Sequence, residues 1–186
     1  MAGVGVPGLR KASRILLPDK LDGAASATST TMGRQMSITY RIGDATQPVG
    51  DGLKIIVHCC NDQGKWGRGF VLALSQRWPK AEQEYRRWFR TGLPTLGAVL
   101  YVRVAEDTVV ANLIGQHGIH TVDGVPPIRY EALERGLQRV TNFAETHGAT
   151  VHAPRLGAGL AGGEWARIEE ILQRVMTVPV TIYDLQ

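Results

Sequence analysis

Cysteine is nearly absent from the chain: Cys59 and Cys60 are the only two among 186 residues, and they are neighbours. A disulfide scaffold is thereby excluded, and adjacent cysteines on one apolar segment read as reduced, buried thiols of a cytoplasmic protein. Long hydrophobic runs are also missing. Leu53–Cys60 is the longest, and Lys54 and His58 interrupt it, well short of the roughly 20 apolar residues that cross a bilayer. No membrane association is expected, and the N-terminus lacks the apolar core of a secretory leader. Charge of one sign is scarce where it would matter. The net charge is +4, but residues 1–35 carry five basic residues against Asp19 and Asp22, which leaves the remainder close to neutral. No basic stripe interleaved with aromatics is present, so nucleic acid is an unlikely partner.

What is present is ordinary globular composition, 44% apolar and 20% charged, enough to bury a core. Residues 1–35, rich in Gly, Ala, Ser and Thr, have no helical or strand periodicity and are expected to form a flexible N-terminal extension or linker. The domain is placed at 36–186. There, strand and helix patterns alternate, as in an α/β sandwich. Ser37–Ile42, Leu53–Cys59, Ala98–Val104, Thr108–Ile114, Val151–Pro154 and Val178–Tyr183 read as strands. Residues 69–77, 80–90, 128–147 and 164–175 read as helices, with Pro79 breaking the first from the second and Gly148 capping the third.

Two glycine loops each stand between a strand and a helix. The first, Asn61–Phe70, has Gly64, Gly67 and Gly69; the second, Pro154–Gly163, has Gly157, Gly159, Gly162 and Gly163. Residues 157–162 match G-x-G-x-x-G literally, but too little chain follows for a dinucleotide-binding half. Neither loop carries the lysine of a phosphate-binding P-loop. Main-chain amides are therefore the expected anion ligands, at a shared cleft beyond the carboxyl ends of the strands. Asp44, just past the first strand, is a candidate acceptor for an exocyclic amine such as that of adenine. His58, Gln116, His117 and His120 are the groups the sequence offers to assist a reaction, with His58 otherwise reading as a core histidine and His117 and His120 as exposed loop residues; Trp78, Trp88 and Trp165 read as packing residues.

The segments Ile38–Asp44, Val57–Asn61, Gly64–Gly69, Pro154–Leu160 and Val180–Leu185, in that order, resemble the macrodomain family. The likeness is to its compact branch of terminal ADP-ribose protein glycohydrolase and ADP-ribose-1''-phosphate phosphatases. It implies a three-layer α/β/α sandwich with a mixed sheet of about six strands and a cleft for ADP-ribose, without cofactor or metal. It further implies that Asp44 and Ala45 hold the adenine, with Tyr183 and Leu185 beside it. Gly69, Phe70 and Leu156, Gly157, Ala158, Gly159 and Leu160 would surround the diphosphate. Asn61 would bond the distal ribose, with Gln63, Gly64 and Trp66 shaping that end. Glycohydrolases of this branch use a lysine and an aspartate where Gln116 and Ala161 stand here, so that mechanism does not transfer. The expected activity is hydrolysis of mono-ADP-ribose from acidic side chains of modified proteins by a monomer, with Asn61, His58 and Gln116 as catalytic candidates. The alternatives are an ADP-ribose-1''-phosphate phosphatase and a non-catalytic reader of ADP-ribosylated proteins.

Overall fold

The computed structural model describes residues 15–16 and 38–185. Seven strands and four helices follow one another as β1 (Ile15–Leu16), β2 (Ile38–Ile42), β3 (Lys54–Asn61), α1 (Phe70–Arg77), α2 (Pro79–Thr91), β4 (Val99–Ala105), β5 (Thr108–Gln116), α3 (Tyr130–His147), β6 (Thr150–Pro154), α4 (Trp165–Val175) and β7 (Val180–Asp184). They form one sheet in the order β1-β4-β5-β3-β6-β7-β2, parallel throughout except for the β4–β5 hairpin. The six strands and four helices expected from the pattern are all present. The seventh strand, β1, pairs with β4 from within the segment assigned to the extension; the rest of that extension lies outside the described residues.

The strands central to the sheet are those whose sequences are apolar almost without interruption. β3 and β5 are flanked on both sides and covered on both faces, so alternation disappears and nearly every residue is buried. Successive side chains of β3 still take opposite faces. Ile55 and Val57 join the core under α3 and α4, whereas Ile56 and Cys60 join the core under α1 and α2. The same alternation separates Cys59 from Cys60, and both are free thiols. Burial pushes the Cys59 thiol up to about 12 and Cys60 well above its usual value.

α3 buries the Leu133, Leu137, Val140 and Ala144 stripe. It sits close on β5 because Gly136 has no side chain: a Cβ there would lie 2.4 Å from Leu113 Cγ. Gly148, in the left-handed region at φ 60, ends the helix. Pro79 does not simply interrupt a helical stretch. It occupies the first turn of α2, where its missing N–H costs nothing, and the chain breaks at Trp78. Among the described residues no helix is long and apolar enough to cross a membrane.

The topology opens a crevice at one place. β3 and β6 are parallel neighbours, yet the chain leaves β3 for α1 on one face of the sheet and β6 for α4 on the other. Their loops separate beyond the carboxyl ends, as at the switch point of an open α/β sheet.

Candidate functional site

The crevice is a cleft of about 500 Å³. One wall is the loop after β3, and Asn61 organises it. Asn61 Oδ1 accepts from the N–H groups of Gln63 (3.0 Å) and Lys65 (2.9 Å), and Nδ2 donates to Lys65 O (2.7 Å). One N–H of this amide stays available to the cleft, which Asn61 lines. Trp66 follows, its Nε1 donating to Ser75 Oγ and its ring packed between His58 and Tyr85. At the start of α1 the N–H groups of Phe70 and Val71 have no acceptor among the described residues, as the first turn of a helix dictates.

The opposite wall is the loop after β6. Leu156 is buried and anchors it. Gly157 takes φ +79, and a Cβ there would lie 2.9 Å from Ile128 Cδ1; one on Gly163 would lie 2.6 Å from Gly157 O. Only glycine permits these approaches. The N–H groups of Gly162 and Gly163 fold back onto Gly159 O and Gly157 O, while those of Gly157, Gly159, Leu160 and Ala161 have no acceptor among the described residues. The walls meet at one point, where a Cβ on Gly69 would lie 3.1 Å from Leu160 Cδ1. Two sets of unpaired amides thus flank one space.

The floor carries His58. Its Nε2 is 2.6 Å from Asn112 Oδ1, so with that amide oxygen as acceptor the ring proton sits on Nε2. Burial pushes its pKa down to about 4, partly offset by the bond to Asn112, and the imidazole is neutral at pH 7. Gln116 lines the cleft with its Nε2 donating to Gly118 O (3.2 Å). Behind it, Asp62 accepts from Gly118 N (2.8 Å) and meets His117 Nδ1 at 2.6 Å. Burial alone would raise the Asp62 pKa, but the bonds from Gly118 and His117 hold it below the usual carboxylate range.

Asp44 lies outside this cleft, in a neighbouring depression with Thr46, Ala73, Gln76 and Arg77. The two spaces run along α1, whose first residues line one and whose later turns line the other. Asp44 Oδ1 accepts from Thr46 N, and Oδ2 from Thr46 Oγ1 and Gln47 Nε2. Burial raises its pKa, but these bonds and Arg77 outweigh it and the carboxylate stays ionised. One lone pair of Oδ1 remains for a further donor.

Of the sequence-derived candidates, His58, Asn61, Trp66, Gly69, Phe70, Gln116, Leu156, Gly157, Gly159 and Leu160 line the cleft together. Others do not. Gln63 is exposed, Gly64 abuts Phe89, and Ala158 donates its N–H to Arg155 O and packs on the core. Ala45 is buried. The Tyr183 hydroxyl points inward, accepting from Val49 N and meeting His152 Nδ1, and Leu185 projects outward. Sequence reasoning missed Arg155, which lines the cleft while gripping Asp184 through two bonds and lying over the Tyr40 and Trp165 rings. It also missed cleft roles for Ile119 and Arg68. Arg155 stood in the second glycine motif, which was the available signal.

No family model matches the chain. A macrodomain protein from Streptomyces coelicolor superposes with a TM-score of 0.71 at 47% identity, covering 80% of this chain and 99% of that one. The chain is a macrodomain. A Bacteroides thetaiotaomicron protein of unknown function matches this macrodomain with a TM-score of 0.78 at 49% identity, over 80% of this chain and 98% of that one. The mouse chromodomain-helicase-DNA-binding protein 1-like is 31% identical over 159 residues; the match takes 79% of this macrodomain but spans only 18% of that protein. The Candida albicans ADP-ribose 1''-phosphate phosphatase is 23% identical over 153 residues, 78% of this macrodomain and 98% of the enzyme. A Thermosipho africanus DarTG structure in complex with ADP-ribose shares the fold at 20% identity and a TM-score of 0.58, over 72% of this macrodomain and 38% of that chain.

Proposed function

We propose that this macrodomain binds ADP-ribose along α1 and across the cleft, and hydrolyses it from acidic side chains of mono-ADP-ribosylated proteins. The observation that carries the reading is the pair of unpaired amide sets, Phe70 and Val71 facing Gly157 and Gly159–Ala161. Two converging rows of N–H donors suit a diphosphate. With the diphosphate there, the Asp44 depression takes the adenine amine, and the remaining Asn61 N–H takes a hydroxyl of the distal ribose. One chain supplies both walls, so a monomer suffices.

The bond that breaks joins the anomeric carbon to the oxygen of a glutamate or aspartate carboxylate. A water adds at that carbon, the carboxylate departs as the anion, and the water's proton passes by way of the ligand's own phosphate to solvent. His58, neutral because of burial, is too weak a base to drive the step. Gln116 and Ala161 carry no titratable group. With no strong base at these three positions, and with His120, which also lines the cleft, as the remaining imidazole beside it, the reaction rests chiefly on positioning and on amides fixed near developing charge. That restricts it to a leaving group stable as an anion: a carboxylate, with a pKa of about 4.3, rather than a serine or arginine linkage.

Incubation with glutamate-linked mono-ADP-ribosylated protein tests this directly. Release of free ADP-ribose, with serine-linked substrate left intact, is the expected result. Retention of label on the protein despite tight binding refutes hydrolysis and leaves a reader. The likeness to the Candida albicans phosphatase favours a second reading, in which inorganic phosphate is released from ADP-ribose-1''-phosphate; that substrate run in parallel separates the two.

A further inference from the structure

The residues that line the cleft include Lys65, Arg68 and Arg155 and no carboxylate. These cations are not equivalent. Arg155 is neutralised by Asp184, which accepts from it at 2.6 and 2.8 Å. Lys65 and Arg68 are exposed, and neither has an ion pair or a side-chain hydrogen bond among the described residues. Arg86, which also reaches this loop, is held by Glu82 and by the Trp66 carbonyl.

The backbone places the two unpaired cations at different ends of the loop after β3. Asn61 grips Lys65 at both main-chain polar groups: Lys65 N donates to Asn61 Oδ1 (2.9 Å), and Lys65 O accepts from Asn61 Nδ2 (2.7 Å). The next residue, Trp66, is buried with its indole N–H on Ser75 Oγ and its carbonyl on Arg86 Nη2. The root of the Lys65 side chain is thereby fixed beside the Asn61 amide, while its flexible four-carbon stem lets the ammonium follow a charge as it forms. Arg68 stands two residues before Phe70 and its unpaired N–H. In the pose proposed above, the amide rows are committed to the diphosphate and Asn61 bonds the distal ribose. The carboxylate that leaves that ribose departs as an anion, and Lys65 is the cation whose backbone is anchored at that end.

We propose that Lys65 is a catalytic residue whose ammonium pairs with the carboxylate oxygen as its bond to the anomeric carbon breaks. The bonding electron pair passes to that oxygen, the water oxygen forms the new bond to carbon, and no proton is delivered to the leaving group. A fixed-root cation supplies the compensation that a general acid supplies elsewhere. The inference rests on the hydrolase reading and adds to it the group that meets the departing anion. The test compares wild type with Lys65→Gln, Lys65→Arg and Arg68→Gln, the last removing the same charge from the same loop. The probes are free ADP-ribose and its 1''-acetate and 1''-chloroacetate esters, of which chloroacetate leaves as the more stable anion. Lys65→Gln should lower kcat for the acetate ester about ten- to a hundredfold, as for a charge-assisted hydrogen bond made in the transition state. The chloroacetate ester should lose less, and Lys65→Arg should recover most of the rate. Free ADP-ribose has no leaving group, so calorimetry should give a Kd for Lys65→Gln within about fivefold of wild type, the range of an exposed charge. Arg68→Gln should leave the acetate-to-chloroacetate ratio at its wild-type value. An unchanged kcat, an equal loss on both esters, or a loss of ADP-ribose affinity as large as the loss of kcat overturns the assignment. So does an Arg68→Gln variant that moves the ratio as far as Lys65→Gln, since that is the general pull of the loop's charge. Wild-type protein that binds ADP-ribose and turns over neither ester overturns the hydrolase reading, and the role of Lys65 with it.

Discussion

Replacing Gly159 with valine separates the anion-binding role of the second glycine loop from its structural role. Gly157 and Gly163 are glycine because a Cβ would strike Ile128 or the Gly157 carbonyl; at Gly159 a Cβ meets nothing within 4 Å, and the backbone is outside the left-handed region. The residue lines the cleft and its N–H is unpaired. A valine there projects into the space assigned to the diphosphate and leaves the protein's own contacts intact. Stability should therefore shift by no more than about 0.5 kcal/mol, as for an uncrowded surface site. Binding should suffer far more. Loss of one charge-assisted hydrogen bond costs about 1.5–3 kcal/mol, and about 1.4 kcal/mol is a factor of ten, so the Kd for ADP-ribose should rise roughly ten- to a hundredfold. Calorimetric titration alongside urea unfolding of both proteins measures the two effects. A variant that unfolds at the wild-type midpoint and binds ADP-ribose with unchanged affinity would refute the amide-cradle argument.

Other outcomes follow from the same geometry. Gly163→Ala, whose Cβ would lie 2.6 Å from Gly157 O, should lower stability by about 1–3 kcal/mol through forced backbone movement, read as a drop in the urea midpoint; wild-type stability would show that the loop yields. Asp44→Ala should weaken ADP-ribose binding by about 1–3 kcal/mol, and unchanged calorimetric affinity would remove the adenine from that depression. His58 and His152 are both held near a pKa of about 4, chiefly by burial, against 6.5 for a free imidazole. Between those values the unfolded chain binds more protons than the folded one. Their stability contribution is complete above pH 6.5 and is lost as pH falls toward 4, at up to about 1.4 kcal/mol per pH unit for each. Urea midpoints equal at pH 7 and pH 5 would contradict that sign.

Much of the fold was legible because its signals are local. The period of Leu133, Leu137, Val140 and Ala144 predicts α3, and the unbroken apolar run of β3 predicts a strand covered on both faces. Both glycine loops were visible too, since a glycine needed for close approach leaves its mark at one position. What stayed hidden depends on partners distant in sequence. Nothing near Asp62 announces His117, and nothing near Tyr183 announces that its hydroxyl turns inward to His152 and Val49. Gly64 looked like a pocket residue because its neighbours are, but its missing side chain makes room for Phe89. The Ile15–Leu16 pairing with β4 has no local signature either: two residues cannot display a period.

Among the described residues β2 pairs with β7 alone, Ile38 opposite Val180 through Ile42 opposite Asp184. Among the described residues, β2 therefore has no strand to pair with until β7 has been made. A ribosome-bound intermediate ending before residue 180 would display Tyr40 and Ile42 on a bare edge, open to pairing with another nascent chain. Completion of this edge of the sheet awaits the emergence of β7, and until then β2 stays exposed to chaperone capture and misassembly.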